Sequence, residues 1–273
     1  MCAGERRREA QGEAGGQIRL LTQLPRRREL IGIVDWRLSQ CDRLGVDIRY
    51  NTLAGAEDVA ALGADVVMVA TGGLPQNPPL ERGDSLVVNS WDVVGGDARL
   101  SGDVLLYDDD GTHSALTAAE ILATAGVRLE IVTPERTLGV DVGGMNLVPY
   151  ARAFNEADVR ITLNQRVVSV ERGGDGRLVV AIGSDHSPVR HRRVVDAVVA
   201  DHGVVANDEL YHQLVSGSSN LGEVDHEALR HGRPQQVHRN PDGRYQLFRI
   251  GDAVEGRNVH AAIYDALRLV KDL

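Results

Sequence analysis

Three consecutive carboxylates, Asp108, Asp109 and Asp110, stand where a phosphate-binding turn is expected. The apolar run Val104-Leu105-Leu106-Tyr107 precedes them and Gly111-Thr112-His113 follows. Ser114 to Ala125 has helical spacing, and Val127 to Val132 is the next β-rich run. A strand–helix–strand unit of this kind usually carries a Gly-x-Gly-x-x-Gly turn, because pyrophosphate must approach bare backbone at the helix start. A carboxylate a few ångströms from a phosphate repels it by about 1 to 4 kcal/mol, depending on local dielectric. The unit therefore predicts a nucleotide-binding shape with the wrong charge for a nucleotide, and it argues against NAD(P)H. Arg136 could meet a 2′-phosphate, but a surface arginine is the simpler reading.

A second set of residues points to a flavin. Gln246 to Asp252 (QLFRIGD) reads as a strand delivering Gly251-Asp252, followed by a helix that starts at Asn258-Val259-His260. The aspartate can accept hydrogen bonds from ribityl hydroxyls, and the helix start can stabilise negative charge on a reduced ring. Val66 to Gly73 (VVMVATGG) is a continuous apolar strand running into Ala70-Thr71-Gly72, a small turn over which a cofactor could lie. Glu9, six residues before Gly15, could hydrogen-bond a ribose, and Gly15-Gly16 ahead of Gln17 would admit close backbone approach. Each segment alone also has an ordinary strand–turn or helix-cap reading.

The elements that position these turns follow from periodicity. Residues 1–14 read as poorly structured, and Arg27 to Leu44 as an amphipathic helix with Leu30, Ile31, Val34, Leu38 and Cys41 in its stripe. Val46 to Tyr50 is a strand, and the Pro- and Gly-containing residues 74–102 connect subdomains. A helix near Met145–Ala157 leads into short strands between Val159 and Val195 that read as antiparallel, with a turn at Gly173-Gly174-Asp175-Gly176. The last helix runs from about Asn258 to Lys271. Alternating strands and helices predict α/β with parallel sheets, one nucleotide-type fold inserted into another.

Composition narrows the classes. The chain has 273 residues and a formal net charge of −9, which argues against a nucleic-acid partner. The runs Arg6–Arg8 and Arg26–Arg28 read as solvated helix faces. Two cysteines, Cys2 and Cys41, cannot alone supply a cluster or a four-ligand zinc site. They suit reduced thiols in the cytoplasm. No apolar run reaches the roughly 18 residues that span a bilayer.

Taken in order, Gly15 to Leu20, Asp65 to Gly73, Tyr107 to Gly111, Ile131 to Arg136 and Arg249 to Leu269 resemble the flavoproteins of the glutathione reductase type. More closely, the chain resembles the C-terminal half of the trimethylamine dehydrogenase / 2,4-dienoyl-CoA reductase / N-methylproline demethylase-like (NADH:flavin oxidoreductase) family. The resemblance implies an α/β, glutathione-reductase-like pair of dinucleotide-binding folds. Residues 1–100 would be the first segment of an FAD domain, 101–205 an inserted NAD(P)-like domain, and 206–273 the second FAD segment. Glu9, Gly15, Gly16 and Gln17 would then sit near adenosine and pyrophosphate. Ala70, Thr71 and Gly72 would line the cleft, Gly251 and Asp252 would reach the ribityl chain, and Val259 and His260 would cap the ring.

The family places an FMN barrel with a four-iron (4Fe-4S) cluster ahead of this region, so the implied role is electron transfer between FAD, or its ADP part, and a barrel domain or subunit. An electron-transfer protein would be the outward acceptor, and homo-oligomerisation is left open. The first strand and Gly-x-Gly-x-x-Gly turn of the FAD fold are not found in the sequence, so that fold is expected to be incomplete at its N-terminus. No catalytic residue and no metal ligand is assigned. The alternative is an ADP-binding or docking module without redox activity.

Overall fold

The computed structural model describes residues 6–8, 12–76 and 80–271. In chain order its elements are β1 (Arg6–Arg8), α1 (Gln17–Leu21), α2 (Gly32–Arg43), β2 (Asp47–Arg49), α3 (Ala56–Ala60), β3 (Val66–Val69), β4 (Gly73–Pro75), β5 (Val87–Asn89), α4 (Ser90–Gly95), β6 (Asp103–Asp108), α5 (His113–Thr124), β7 (Arg128–Val132), α6 (Gly144–Glu156) and β8 (Arg160–Thr162). There follow β9 (Arg166–Arg172), β10 (Leu178–Gly183), β11 (Arg190–Val195), β12 (Ala197–Asp201), β13 (Val204–Ala206), α7 (Glu209–Leu214), α8 (His226–His231), β14 (Gln246–Arg249) and α9 (Val259–Val270). The chain forms two compact units. Unit 1 comprises Met1–Ile18, Ile31–Leu74 and Val204–Leu273, and unit 2 comprises Arg19–Leu30 and Pro75–Gly203.

Unit 2 is built on a five-stranded parallel sheet of order β5-β12-β6-β7-β8, the arrangement of a dinucleotide-binding type fold. Strand side chains alternate between faces. Val104, Leu106, Ile131 and Val199 pack with Ala115, Ala119, Leu122, Tyr150 and Phe154 of α5 and α6. Leu105, Tyr107, Val132 and Val198 pack on the other face against Val167, Val170, Val180 and Ile182 of the antiparallel sheet β11-β10-β9. Both faces are covered, which is why these strands read as unbroken apolar runs. One expectation is corrected: β8 joins the parallel sheet beside β7, with Ile131 opposite Ile161, instead of the antiparallel series.

The Arg26–Arg28 run is a solvated face only in part: Arg28 is exposed, whereas Arg26 and Arg27 bond to neighbouring elements. Arg26 bonds both carboxylate oxygens of Glu120, with the shortest contact 2.6 Å, and its guanidinium lies 4.2 Å over the Tyr150 ring. Arg27 is buried, its guanidinium 2.6 Å from His113 Nδ1. These contacts draw the segment onto unit 2, and the helix expected over Arg27–Leu44 divides into a 3-10 turn, Pro25–Ile31, and α2.

In unit 1, β3 and β14 pair in parallel, and so do β1 and β2. Arg6–Arg8, expected to be unstructured, thus carry strand backbone. A small core of Val69, Leu214, Tyr245, Leu247 and Ala253 lies beneath β3 and β14.

Gly83 holds φ at +95° in unit 2, and a Cβ there would stand 1.9 Å from the Val170 carbonyl oxygen. Both left-handed backbone and a backbone clash oppose substitution. Gly83→Ala is expected to cost about 2 kcal/mol or more of unfolding free energy in urea titrations; a variant as stable as the parent would contradict this packing.

Candidate functional site

The carboxyl ends of β3 and β14 bring the two flavin-type turns of unit 1 together. Val69 is the register partner of Arg249, and Ile250 N donates to Val69 O at 3.0 Å. Ala70-Thr71-Gly72 and Gly251-Asp252 therefore leave adjacent strands side by side. Gln17 Nε2 donates to Asp252 Oδ2 at 2.9 Å, joining the Gly15-Gly16-Gln17 segment to the same turn. Asp252 Oδ1 accepts from Arg257 N at 3.1 Å. Gly16 and Gly72 have φ of +46° and +74°, and a Cβ on either would meet no atom within 4 Å. Both face open space, as a backbone approached by a ligand must.

Other groups pin the turn. Thr71 Oγ1 donates to Asn207 O, and Asn207 N donates to Gly72 O at 3.0 Å. Gly251 N donates to buried Asp265 Oδ2 at 3.2 Å, and the Arg257 guanidinium holds the same oxygen. Asp265 is a residue that periodicity alone passes over: a carboxylate on the apolar side of an amphipathic helix signals an internal bond. Asn258 caps α9, accepting from Ala261 N at 2.9 Å. This leaves Val259 and His260 in the first turn, whose N–H groups have no partner within the helix. The His260 side chain is exposed. Glu9 lies outside the described residues.

In unit 2 the corresponding place is the carboxyl end of the adjacent strands β6 and β12, where the strand order reverses and a nucleotide fold binds its ligand. Carboxylates fill it. Asp108 and Asp201 are register partners at the ends of β6 and β12, and both are fully buried. Asp108 Oδ1 accepts from Gly111 N at 2.8 Å, and Asp201 Oδ1 accepts from Gly203 N at 3.0 Å. Ser90 Oγ donates to Asp201 Oδ2 at 2.5 Å. Backbone N–H groups that could have met a phosphate are thus bound by the protein's own carboxylates. Asp110 packs on Gly203, where a Cβ would come 2.5 Å from its Oδ1. Asp109 accepts from Tyr107 at 2.9 Å, lies 2.9 Å from His202 Nδ1 and meets Arg166 at 3.2 Å. Burial pushes Asp109 up, but the bonds from His202 and Tyr107 prevail and hold it below the usual carboxylate range. Sequence reasoning missed Ser90, Asp201 and His202. The available signal was Asp201-His202-Gly203 ending an apolar strand just as Asp108 does.

Asp108 Oδ2 has no hydrogen-bond partner among the described residues. Burial first, with Asp201 and Asp110 adding repulsion, raises Asp108 from 3.8 to about 7. The sign follows from linkage. A carboxyl with a raised folded pKa contributes fully at low pH and loses that contribution as pH climbs through about 7. His113, lowered to about 4 by burial and by Arg27, acts in the opposite direction, losing its contribution as pH falls from 6.5 through that value. Comparison with Asp108→Asn isolates the carboxyl. The variant's stability relative to the parent should rise between pH 4 and pH 8, by up to ~4 kcal/mol. Urea melts across that range check it, and parallel curves for the two proteins would contradict it.

No family model matches the sequence. Curated relatives and solved structures do. The probable N-methylproline demethylase of Rhizobium meliloti (strain 1021) is 53% identical over 265 residues, covering 97% of this chain and 39% of that protein. The N,N-dimethylglycine/sarcosine dehydrogenase of Chromohalobacter salexigens is 38% identical over 97% of this chain and 40% of its own length. The solved 6-hydroxypseudooxynicotine amine oxidase of Pseudomonas geniculata N1 superposes with a TM-score of 0.78 and 26% identity, over 95% of this chain and 37% of that one. The chain spans about two fifths of the length of the curated relatives it matches. It belongs to the trimethylamine dehydrogenase / 2,4-dienoyl-CoA reductase / N-methylproline demethylase-like family of flavoprotein oxidoreductases, matching one region of those longer proteins.

Proposed function

We propose that this chain is the FAD-fold region of an oxidoreductase that demethylates small N-methyl amines, with FAD or its ADP part held by unit 1. The observation that carries the reading is the β3–β14 register, which sets Ala70-Thr71-Gly72 beside Gly251-Asp252 with Gln17 bonded to Asp252. The relatives' names supply the substrate class, N-methylproline and dimethylglycine or sarcosine. FAD, when bound, supplies the redox chemistry. This chain's residues bind and orient it. Gly16 and Gly72 offer backbone without side-chain obstruction, Asp252 accepts from hydroxyls, and the first turn of α9 presents N–H groups to negative charge. Substrate would react on an FMN barrel with a four-iron cluster, in a partner domain or subunit, and no catalytic residue is assigned here. Unit 2 completes a glutathione-reductase-like pair whose nucleotide crevice is closed by its own acids, so electrons would pass to a protein acceptor and not come from NAD(P)H.

Titration with FAD, read by flavin fluorescence, tests the proposal. Without a Gly-x-Gly-x-x-Gly turn the expected dissociation constant is weaker than about 1 µM. Asp252→Ala should weaken it about tenfold more, the value of one charge-assisted hydrogen bond. Sub-micromolar affinity would contradict the weak-binding expectation. Saturable FAD binding untouched by Asp252→Ala would contradict the site. Failure of both FAD and ADP to bind would leave the docking-module reading in its place.

A further inference from the structure

Asp108 and Asp201 are two buried carboxylates set opposite each other at the ends of adjacent strands. The charged groups that act most on Asp108 are themselves acids, Asp201 from β12 and Asp110 from its own loop. Asp141, ahead of α6, repels Asp110 in turn. The other titratable groups nearby are engaged elsewhere. Asp109 is held by Tyr107, Arg166 and His202, and His113 of α5 by Arg27 and Tyr150. Two carboxylates sharing one buried place do not both ionise without a large penalty.

Hydrogen bonds decide which of the two keeps a proton. Both oxygens of Asp201 accept, one from Gly203 N and the other from Ser90 Oγ. Only Oδ1 of Asp108 accepts, from Gly111 N, and its buried Oδ2 is bare. Donors favour the charged form of a carboxylate, so the proton belongs on Asp108 Oδ2.

The bond from Gly111 to Asp108 closes a short turn onto the start of α5. Gly111 takes φ of +69°, and its carbonyl accepts from Asp141 N at 3.1 Å. Val140 lies directly on it: a Cβ at Gly111 would stand 2.5 Å from Val140 Cγ2. Val140 is itself 46% exposed, so water is one side chain away from the turn. An ionised Asp108 would leave Oδ2 charged, buried and without a donor. The nearest relief is rotation of the carboxylate into water, which breaks its bond to Gly111.

We propose that Asp108 and Asp201 form a proton-controlled latch on the loop between β6 and α5. With one proton in the pair the loop is closed on the start of α5. Loss of that proton turns Asp108 out to water and frees the Gly111 N–H. Burial, and after it the charges of Asp201 and Asp110, raise Asp108 to about 7, so the latch opens as pH climbs through neutrality. This goes beyond the flavin reading and is measured in unit 2 without flavin.

The test follows the full chain by NMR from about pH 5 to about pH 9, reading the Asp108 carboxyl carbon and hydrogen exchange at the Gly111 amide. The carboxyl carbon should titrate near pH 7. Once the ordinary rise of exchange with pH is divided out, protection of Gly111 should fall at least tenfold across the same transition. Asp108→Asn keeps an acceptor for Gly111 N and cannot ionise, so it should show no such fall. Asp201→Asn removes the partner's charge and should move the midpoint down by about one pH unit. A carboxyl carbon that titrates below about pH 5, level protection at Gly111, equal loss of protection in Asp108→Asn, or a midpoint unmoved by Asp201→Asn would overturn the proposal.

Discussion

The parallel pairing of β3 with β14 is the constraint on which unit 1 depends. It joins residues far apart in sequence through backbone bonds that hold only in one register. A slip of one residue would turn Val69 and Leu247 out of their shared core with Tyr245 and Ala253. The register is fixed from both ends. Asn220 bonds both backbone groups of Leu247, and Asp265 with Arg257 holds Gly251. The turns after the two strands therefore occupy set positions, and Gln17 can reach Asp252.

The two carboxyl-end crevices of the chain show how a common strand–turn–helix plan yields opposite electrostatics. In unit 1 Gly16 and Gly72 face open space, and Asp252 is held by Gln17 and the Arg257 N–H. In unit 2 the acids have turned inward onto the N–H groups of Gly111 and Gly203. A helix N-terminus attracts anions, and here the chain supplies them itself. Burial, with repulsion from Asp201 and Asp110 added to it, raises Asp108 to about 7, and the acids meet the structural needs of the loop without an external anion. Among the described residues no group of His, Cys, Asp or Glu is arranged to hold a metal ion, and no helix is long and apolar enough to cross a membrane.

Much of the fold is legible in sequence where one local rule decides the outcome. α5 and α9 show helical spacing bounded by Thr112 and Asn258 caps, and β6 shows the unbroken apolar run of a strand covered on both faces. The turns at Gly72 and Gly251 are legible because each apolar strand runs into a glycine within a few residues of its end, and both glycines take positive φ. What stays hidden depends on partners remote in sequence. Arg26 and Arg27 look like solvent residues until Glu120, Tyr150 and His113 stand beside them. β8 is too short for its own pattern to say whether β7 or β9 will be its neighbour. Asp201 gains its meaning only when register sets it against Asp108. Arg6–Arg8 lack any β signal, and their strand backbone is set by pairing with β2.

The most direct test of where a nucleotide sits is amide chemical-shift mapping of the chain during titration with ADP. The β3–β14 arrangement predicts shifts at Gly16, Gly72, Gly251 and the first turn of α9, with Gly111 and Gly203 unmoved. Shifts concentrated at Gly111, Thr112 and Gly203 would contradict it, because they would mean that the acid-lined crevice admits the very anion its carboxylates are held to exclude.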